Sequence, residues 1–200
     1  MVSAFLRGLL PCLASLVPIM ASQVATAEIV QFSGNVIRLE GEPVAGGYVI
    51  AGTFNPLFQP WSYKYEYGMD EGGNMDSPNL SQAIADGNFL PIGSGTHTAI
   101  DGEFSGSGFN SAGPGLPVYI FAFSSFEPDE SEYFALATNP AWVTGASNLS
   151  LNAANAQVFV FGQKSGASIA LQGLPMPEPA GLALMTLGLV MMATMRRIHV

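Results

Sequence analysis

Side chains that most often do chemistry are scarce in the central part of this chain. His97 is the only histidine between residues 28 and 178, and the single cysteine, Cys12, lies near the N-terminus. No serine lies in a G-x-S-x-G elbow, and the sequence contains no phosphate-binding loop and no H-E-x-x-H pair. These observations favour a histidine on a surface strand over a catalytic triad with unplaced partners. We therefore expect no enzyme activity and no cofactor, and the sequence assigns no residues to a metal site.

Carboxylates are plentiful but form no recognisable constellation. Residues 70–76 (DEGGNMD) lack both the D-x-[DN]-x-[DN]-G register and the distal glutamate of a calcium loop, so they read as a solvated turn. Residues 127–132 (EPDESE) also read as a loop. Glycoside hydrolysis needs two carboxylates at a fixed separation across a cleft. A glycan hydrolase with unassigned carboxylates stays open as a second alternative.

The aromatic segment 61–67 (WSYKYEY) is the most regular pattern in the chain. With the period of two of a β-strand, one face receives all four aromatic side chains: Trp61, Tyr63, Tyr65 and Tyr67. If that face points inward, it belongs to the core, because large aromatic side chains dominate such cores. If it points outward, it is a flat platform for sugar rings, and the protein is a carbohydrate-binding module acting on exopolysaccharide.

Short β-branched and aromatic runs between glycine and proline predict a mostly β domain. We expect strands at 29–32, 36–39, 47–54, 61–67, 97–104, 118–124, 133–138, 157–161 and 168–171. Residues 105–115 are expected to form a mobile loop, and residues 78–86 a short helix that covers one end of the domain. The prediction is an all-β, jelly-roll-like β-sandwich, formed as a single domain by residues 28–173.

The charge of this domain is strongly negative. All fifteen acidic residues lie between Glu28 and Glu178, where the only basic residues are Arg38, Lys64 and Lys164. Such a balance repels phosphate backbones, so the sequence disfavours nucleic-acid binding.

The N-terminal 27 residues have the organisation of a secretory signal peptide. Arg7 precedes an apolar stretch at 8–20, and Ala25-Thr26-Ala27 supplies the A-x-A cleavage site through Ala25 and Ala27. Cleavage after Ala27 by the secretion machinery would make Glu28 the first residue of the mature protein.

The C-terminus has three parts in a fixed order. A Pro-rich linker at 174–179 contains Pro177, Glu178 and Pro179, which cannot continue a helix and favour an extended peptide. Residues 180–195 are almost entirely apolar and would be about 24 Å long as a helix, near the short end for a transmembrane span. Arg196 and Arg197 then begin a basic tail, 196–200, that the positive-inside rule places in the cytoplasm.

This three-part C-terminus resembles the PEP-CTERM sorting signal of exported bacterial proteins. Segments 47–54, 115–121 and 132–136, followed by Trp142, are similar to the strand order of many exported β-domains with this signal. The resemblance implies processing by an exosortase-type membrane enzyme. It also implies an inner-membrane anchor before processing and the cell surface, outer envelope or extracellular matrix afterwards. A plain C-terminal anchor that is never cut is the alternative.

Overall fold

The structure is a computed structural model that describes residues 28–38, 40–68, 78–145 and 148–173. These residues are mostly β-strands in two sheets with few helices, which confirms the expected all-β class. The strands are β1 Glu28–Ile37, β2 Tyr48–Phe54, β3 Phe89–His97, β4 Glu103–Asn110, β5 Pro117–Phe123, β6 Tyr133–Val143, β7 Asn148–Asn152, β8 Val158–Phe161, β9 Gln163–Ser165, β10 Ser168–Ala170 and β11 Gln172–Gly173. The helices are α1 Tyr63–Tyr67 and α2 Leu80–Ala85, and short 3-10 turns occur at Pro60–Ser62, Pro128–Glu130 and Ala153–Asn155.

The two sheets differ in how their strands pair. The five-stranded sheet has the order β4-β1-β10-β9, and β7 also pairs with β1. Strand β1 is antiparallel to β4 but parallel to β7 and β10. The six-stranded sheet has the order β11-β6-β5-β2-β3, with β8 also on β6, and its pairs are all antiparallel. Strand β1 therefore organises one sheet, and the β2-β5-β6 ladder organises the other.

A mainly aliphatic core joins the two sheets. Strand β1 contributes Val30, Phe32 and Val36, and the facing positions of the six-stranded sheet carry small or branched side chains. These facing side chains include Val49, Ala51, Val118, Ile120, Ala122, Ala135 and Ala137. Small residues at the facing positions allow the sheets to approach closely and exclude water.

The opposite face of the six-stranded sheet is also buried, under the two helices. This second core is largely aromatic and contains Ile50, Phe54, Tyr63, Tyr67, Leu80, Ala83, Phe89, Phe121, Phe123, Phe134 and Leu136. Because successive side chains of a strand point to opposite faces, β2, β5 and β6 are apolar on both faces and read as continuous apolar runs. The helix expected at one end of the sandwich instead packs on the outside of this sheet.

The helix predicted at 78–86 is present as α2, but it starts two residues later than predicted. The side chain of Asn79 accepts a hydrogen bond from the Gln82 backbone N–H at 2.9 Å, so Asn79 is the N-cap. Gly87, with φ of +69°, follows the last helical turn. Helix α1 was not expected, because its residues were assigned to a strand.

Two strand predictions and one loop prediction are wrong. Residues 61–67 form a 3-10 turn and then α1. Residues 97–104 are not a strand, because 98–102 form the turn between β3 and β4. Much of the loop expected at 105–115 is β4, which pairs with β1 along its length. Two strands predicted at 29–32 and 36–39 are one strand, β1, in which Gly34 is required because a Cβ there would overlap the side chain of Ala153.

Candidate functional site

Helix α1 separates the four aromatic residues that the sequence placed on one face. Trp61 and Tyr65 are 61% and 57% exposed, whereas Tyr63 and Tyr67 are buried. Residues four apart share a helix face, so each pair lies on its own side of the segment. The predicted four-residue platform is therefore wrong in its geometry, and an exposed pair remains.

Tyr63 belongs to the aromatic core and not to the surface. Its ring centroid lies 4.8 Å from that of Phe121 and 5.3 Å from that of Tyr67. Its hydroxyl is buried and has no hydrogen-bond partner among the described residues. Burial, with the nearby charge of Asp129 as a smaller cause, raises the pKa of Tyr63 well above its usual value. Tyr63 is thus a structural residue that stays neutral.

Tyr67 joins α1 to the end of α2 through a polar network. Its hydroxyl donates to the Asp86 carboxylate at 3.0 Å and accepts a hydrogen bond from the side-chain amide of Asn88. Burial is the main cause that raises the pKa of Tyr67. The network fixes α1 against α2 and so determines where the exposed pair points.

The exposed pair has features that suit stacking. The Lys64 ammonium lies 4.7 Å from the centroid of the Tyr65 ring, a cation–π distance. The Ser62 hydroxyl is 2.9 Å from a carboxylate oxygen of Glu66 and donates to it, which holds this turn together. Trp61 and Tyr65 can thus present ring faces to a partner from an ordered turn, but nothing in this group activates a nucleophile or a proton.

His97 lies at the exposed end of β3, as expected for a surface-strand histidine. Its ring stacks on Phe126 with 3.8 Å between centroids and 2° between planes, and Tyr48 lies 5.3 Å away on another side. Sequence reasoning did not find this stack, because Phe126 lies in a loop without periodicity. Among the described residues, the side-chain contacts of His97 are with these two aromatic rings.

Two carboxylates of the described residues have structural roles. A carboxylate oxygen of Asp129 accepts hydrogen bonds from the backbone N–H groups of Leu80, at 2.7 Å, and Ser81, at 3.3 Å, at the start of α2. Glu28 is buried, and one of its oxygens accepts from the Asn110 amide and the Gly145 N–H, each at 2.9 Å. Within the described ranges, no group of three or more His, Cys, Asp or Glu residues is placed to hold a metal.

Several predicted sites lie outside the described residues. These are Ala25 and Ala27 of the cleavage site, the acidic segment 70–76, Pro177, Glu178 and Pro179 of the sorting motif, and Arg196 and Arg197 of the membrane stop. Among the helices in the part of the chain that the structure describes, none has the length and apolarity needed to cross a bilayer.

No protein-family model, curated protein or solved structure matches this chain.

Proposed function

We propose that this protein is an exported cell-envelope or extracellular-matrix protein and a substrate of an exosortase-type enzyme, without catalysis of its own. The observation that carries the proposal is the order of the C-terminal segments. Pro177-Glu178-Pro179 comes first, the apolar run 180–195 follows, and Arg196-Arg197 ends it. This order would place the Pro-Glu-Pro block at the outer surface of the inner membrane, within reach of a membrane-embedded enzyme.

In this proposal, cleavage after Ala27 makes Glu28 the first residue of the mature domain. Glu28 is itself part of the fold, since its buried carboxylate joins the start of β1 to the end of β4 and to the turn after β6. In this proposal the mature domain is a jelly-roll-like sandwich that begins where the signal peptide ends.

Two C-terminal variants test the proposal in a host that has an exosortase. Replacing Pro177, Glu178 and Pro179 with alanine leaves the apolar run intact, so membrane insertion is expected to survive while processing stops. Replacing Arg196 and Arg197 with glutamate removes the positive charges that keep the end of the span on the cytoplasmic side, so the tail is expected to be retained less firmly in the membrane. Fractionation of envelope and medium separates these outcomes. Identical behaviour of the alanine variant and the wild type would favour a plain anchor.

Glycan binding is the second candidate, and the exposure of Trp61 and Tyr65 favours it. Exposed aromatic faces of this kind suit the apolar faces of sugar rings. The double variant Trp61→Ala with Tyr65→Ala is expected to weaken retention of the protein on extracted exopolysaccharide. The double variant Leu57→Ala with Ile100→Ala is the control, because both of these apolar side chains are exposed at other positions. If both double variants are retained equally, Trp61 and Tyr65 do not form the glycan-binding site.

A further inference from the structure

One large sheet face in the described part of the chain carries no covering layer. The six-stranded sheet is packed against the other sheet on one face and against the helices on the other. The five-stranded sheet uses only its inner face for the core. Along β1, Ile29 and Gln31 are exposed while the alternate residues Val30 and Phe32 are buried, so the outward positions of this sheet form an open surface.

The strand register arranges the side chains of this surface in rows. Gln31 of β1 pairs with Ser107 of β4 on one side and with Ser150 of β7 on the other. The neighbouring rows are Asn152-Ser33-Ser105 and Asn148-Ile29-Phe109. Side chains in such rows are about 4.5–5.5 Å apart, so adjacent groups can contact one ligand together.

The rows are rich in hydrogen-bonding groups and contain no charged residue. Seven of the nine positions are serine, asparagine or glutamine, and the other two are Ile29 and Phe109. The nearest charge on this outward face is Glu103, one row further on, opposite Asn35; Glu28 of β1 is buried on the other face. The absence of charge is unexpected in so acidic a domain, where solvated positions elsewhere are often glutamate or aspartate.

A groove lies in the middle of these rows. It has a volume of about 370 Å³ and is lined by Gln31, Phe32, Ser33, Ser105, Gly106, Ser107 and Ser150. Its volume falls in the range of small-molecule sites, about 300–1,000 Å³. Phe109, 68% exposed, lies one row beyond Gln31 and Ser107, just past the end of the groove and outside its lining.

We propose that this groove binds a neutral polysaccharide. Serine hydroxyls and the glutamine amide both donate and accept hydrogen bonds, and sugar hydroxyls need partners of both kinds. The ring of Phe109 offers an apolar face for the C–H side of a sugar unit at the end of the groove. The rows contain no cation for a phosphate or a uronate and no carboxylate cluster for a metal ion.

A second copy of this chain fits the surface less well. The apolar part consists of Ile29 and Phe109 alone, at one end, whereas stable dimers bury about 800 Å² per partner around an apolar centre. The groove therefore deepens the glycan-binding candidate by naming a surface other than Trp61 and Tyr65. It does not depend on processing of the C-terminus, so either proposal can fail while the other stands.

The test uses the full exported chain, purified in mild detergent. Its titration with dextran, galactomannan and mixed-linkage β-glucan is compared with titration with polygalacturonate, an acidic polysaccharide. Gln31→Ala alters the lining of the groove, and Phe109→Ala removes the ring at its end. Phe126→Ala is the matched control, because Phe126 is 61% exposed but lies in the loop that contacts His97. Size-exclusion chromatography with light scattering gives the oligomeric state of each form.

We expect the wild type to bind at least one neutral polysaccharide more tightly than polygalacturonate. Phe109→Ala should weaken that binding roughly tenfold, Gln31→Ala should weaken it as well, and Phe126→Ala should leave it unchanged. No binding to any neutral probe, or equal loss in Phe109→Ala and Phe126→Ala, would overturn the proposal. A wild-type dimer that Phe109→Ala dissociates, without binding of a neutral probe, would assign the surface to a second copy instead.

Discussion

Tyr63 shows why residue type alone did not decide function in this chain. The same four-residue spacing relates Trp61 to Tyr65 and Tyr63 to Tyr67, yet one pair is exposed and the other is buried. The sequence correctly indicated that aromatic side chains here serve either the core or a surface. It could not show which of the four aromatic residues are buried. Residues that alternate over seven positions lie on one face of a strand but on two faces of a helix, and the pattern alone does not choose between the two.

Replacing Tyr63 with phenylalanine is expected to stabilise the protein. The buried hydroxyl lacks a partner among the described residues, and burying an unpaired hydroxyl costs about 1–3 kcal/mol. The Tyr63→Phe variant keeps the ring contacts with Phe121, so the free energy of unfolding should rise by about 1 kcal/mol at pH 7. Tyr65→Phe is the control at an exposed position. Chemical denaturation measures both, and a loss of stability in Tyr63→Phe would show that the hydroxyl is paired.

Stability should also fall at alkaline pH because of tyrosines that are buried wholly or in part. Burial raises the pKa of Tyr48, Tyr63, Tyr67 and Tyr119 above the unfolded value of 10.0. Below pH 10 both states hold the phenolic proton and the full stability is present. As the pH rises above 10, the unfolded state releases the proton first, so stability is lost. Tyr63→Phe should reduce the alkaline loss seen in thermal unfolding, and an unchanged pH dependence would contradict this assignment.

A strand that contains glycine and proline was harder to predict from the sequence than a continuous apolar strand. The apolar runs of β2, β5 and β6 were found because both faces of their sheet are buried. Strand β3 was missed because it contains Pro91, Gly93 and Gly95, which are typical of turns. The structure uses Gly93 and Gly95, with φ of +77° and +75°, in the bulge where the register with β2 shifts between Val49 and Ala51. Such a bulge depends on the partner strand, and local sequence does not contain that information.

At the level of the elements, Gly52 of β2 tests how closely the second core is packed. A Cβ at Gly52 would overlap the Phe89 ring and approach the Leu90 carbonyl oxygen at 2.7 Å. Gly52→Ala should therefore lower the free energy of unfolding by about 1–3 kcal/mol, as overpacking does. Gly113→Ala is the matched control, since nothing lies within 4 Å of the added atom. Chemical denaturation compares the two, and equal stabilities would mean that Phe89 does not pack on Gly52.

At the scale of the whole molecule, the structure describes the β domain, and the sequence alone predicts the two targeting segments. The described residues have the predicted all-β class. The predicted sandwich placed no helices on a sheet face, whereas α1 and α2 cover the aromatic outer face of the six-stranded sheet. The open face of the five-stranded sheet could not be predicted, since its rows combine residues of β1, β4 and β7 that are far apart in sequence. The targeting segments remain predictions from sequence.

Mass spectrometry of both termini of the exported chain tests the central proposal most directly. The chain is expressed in a host with an exosortase, recovered from the cell surface or medium, and compared with the same chain from a host that lacks the enzyme. We expect the N-terminus to be Glu28 in both hosts. In the exosortase host alone, the apolar segment 180–195 and the tail with Arg196 and Arg197 should be absent. Recovery of a chain that still begins at Met1, or that ends at Val200 in both hosts, would contradict the account.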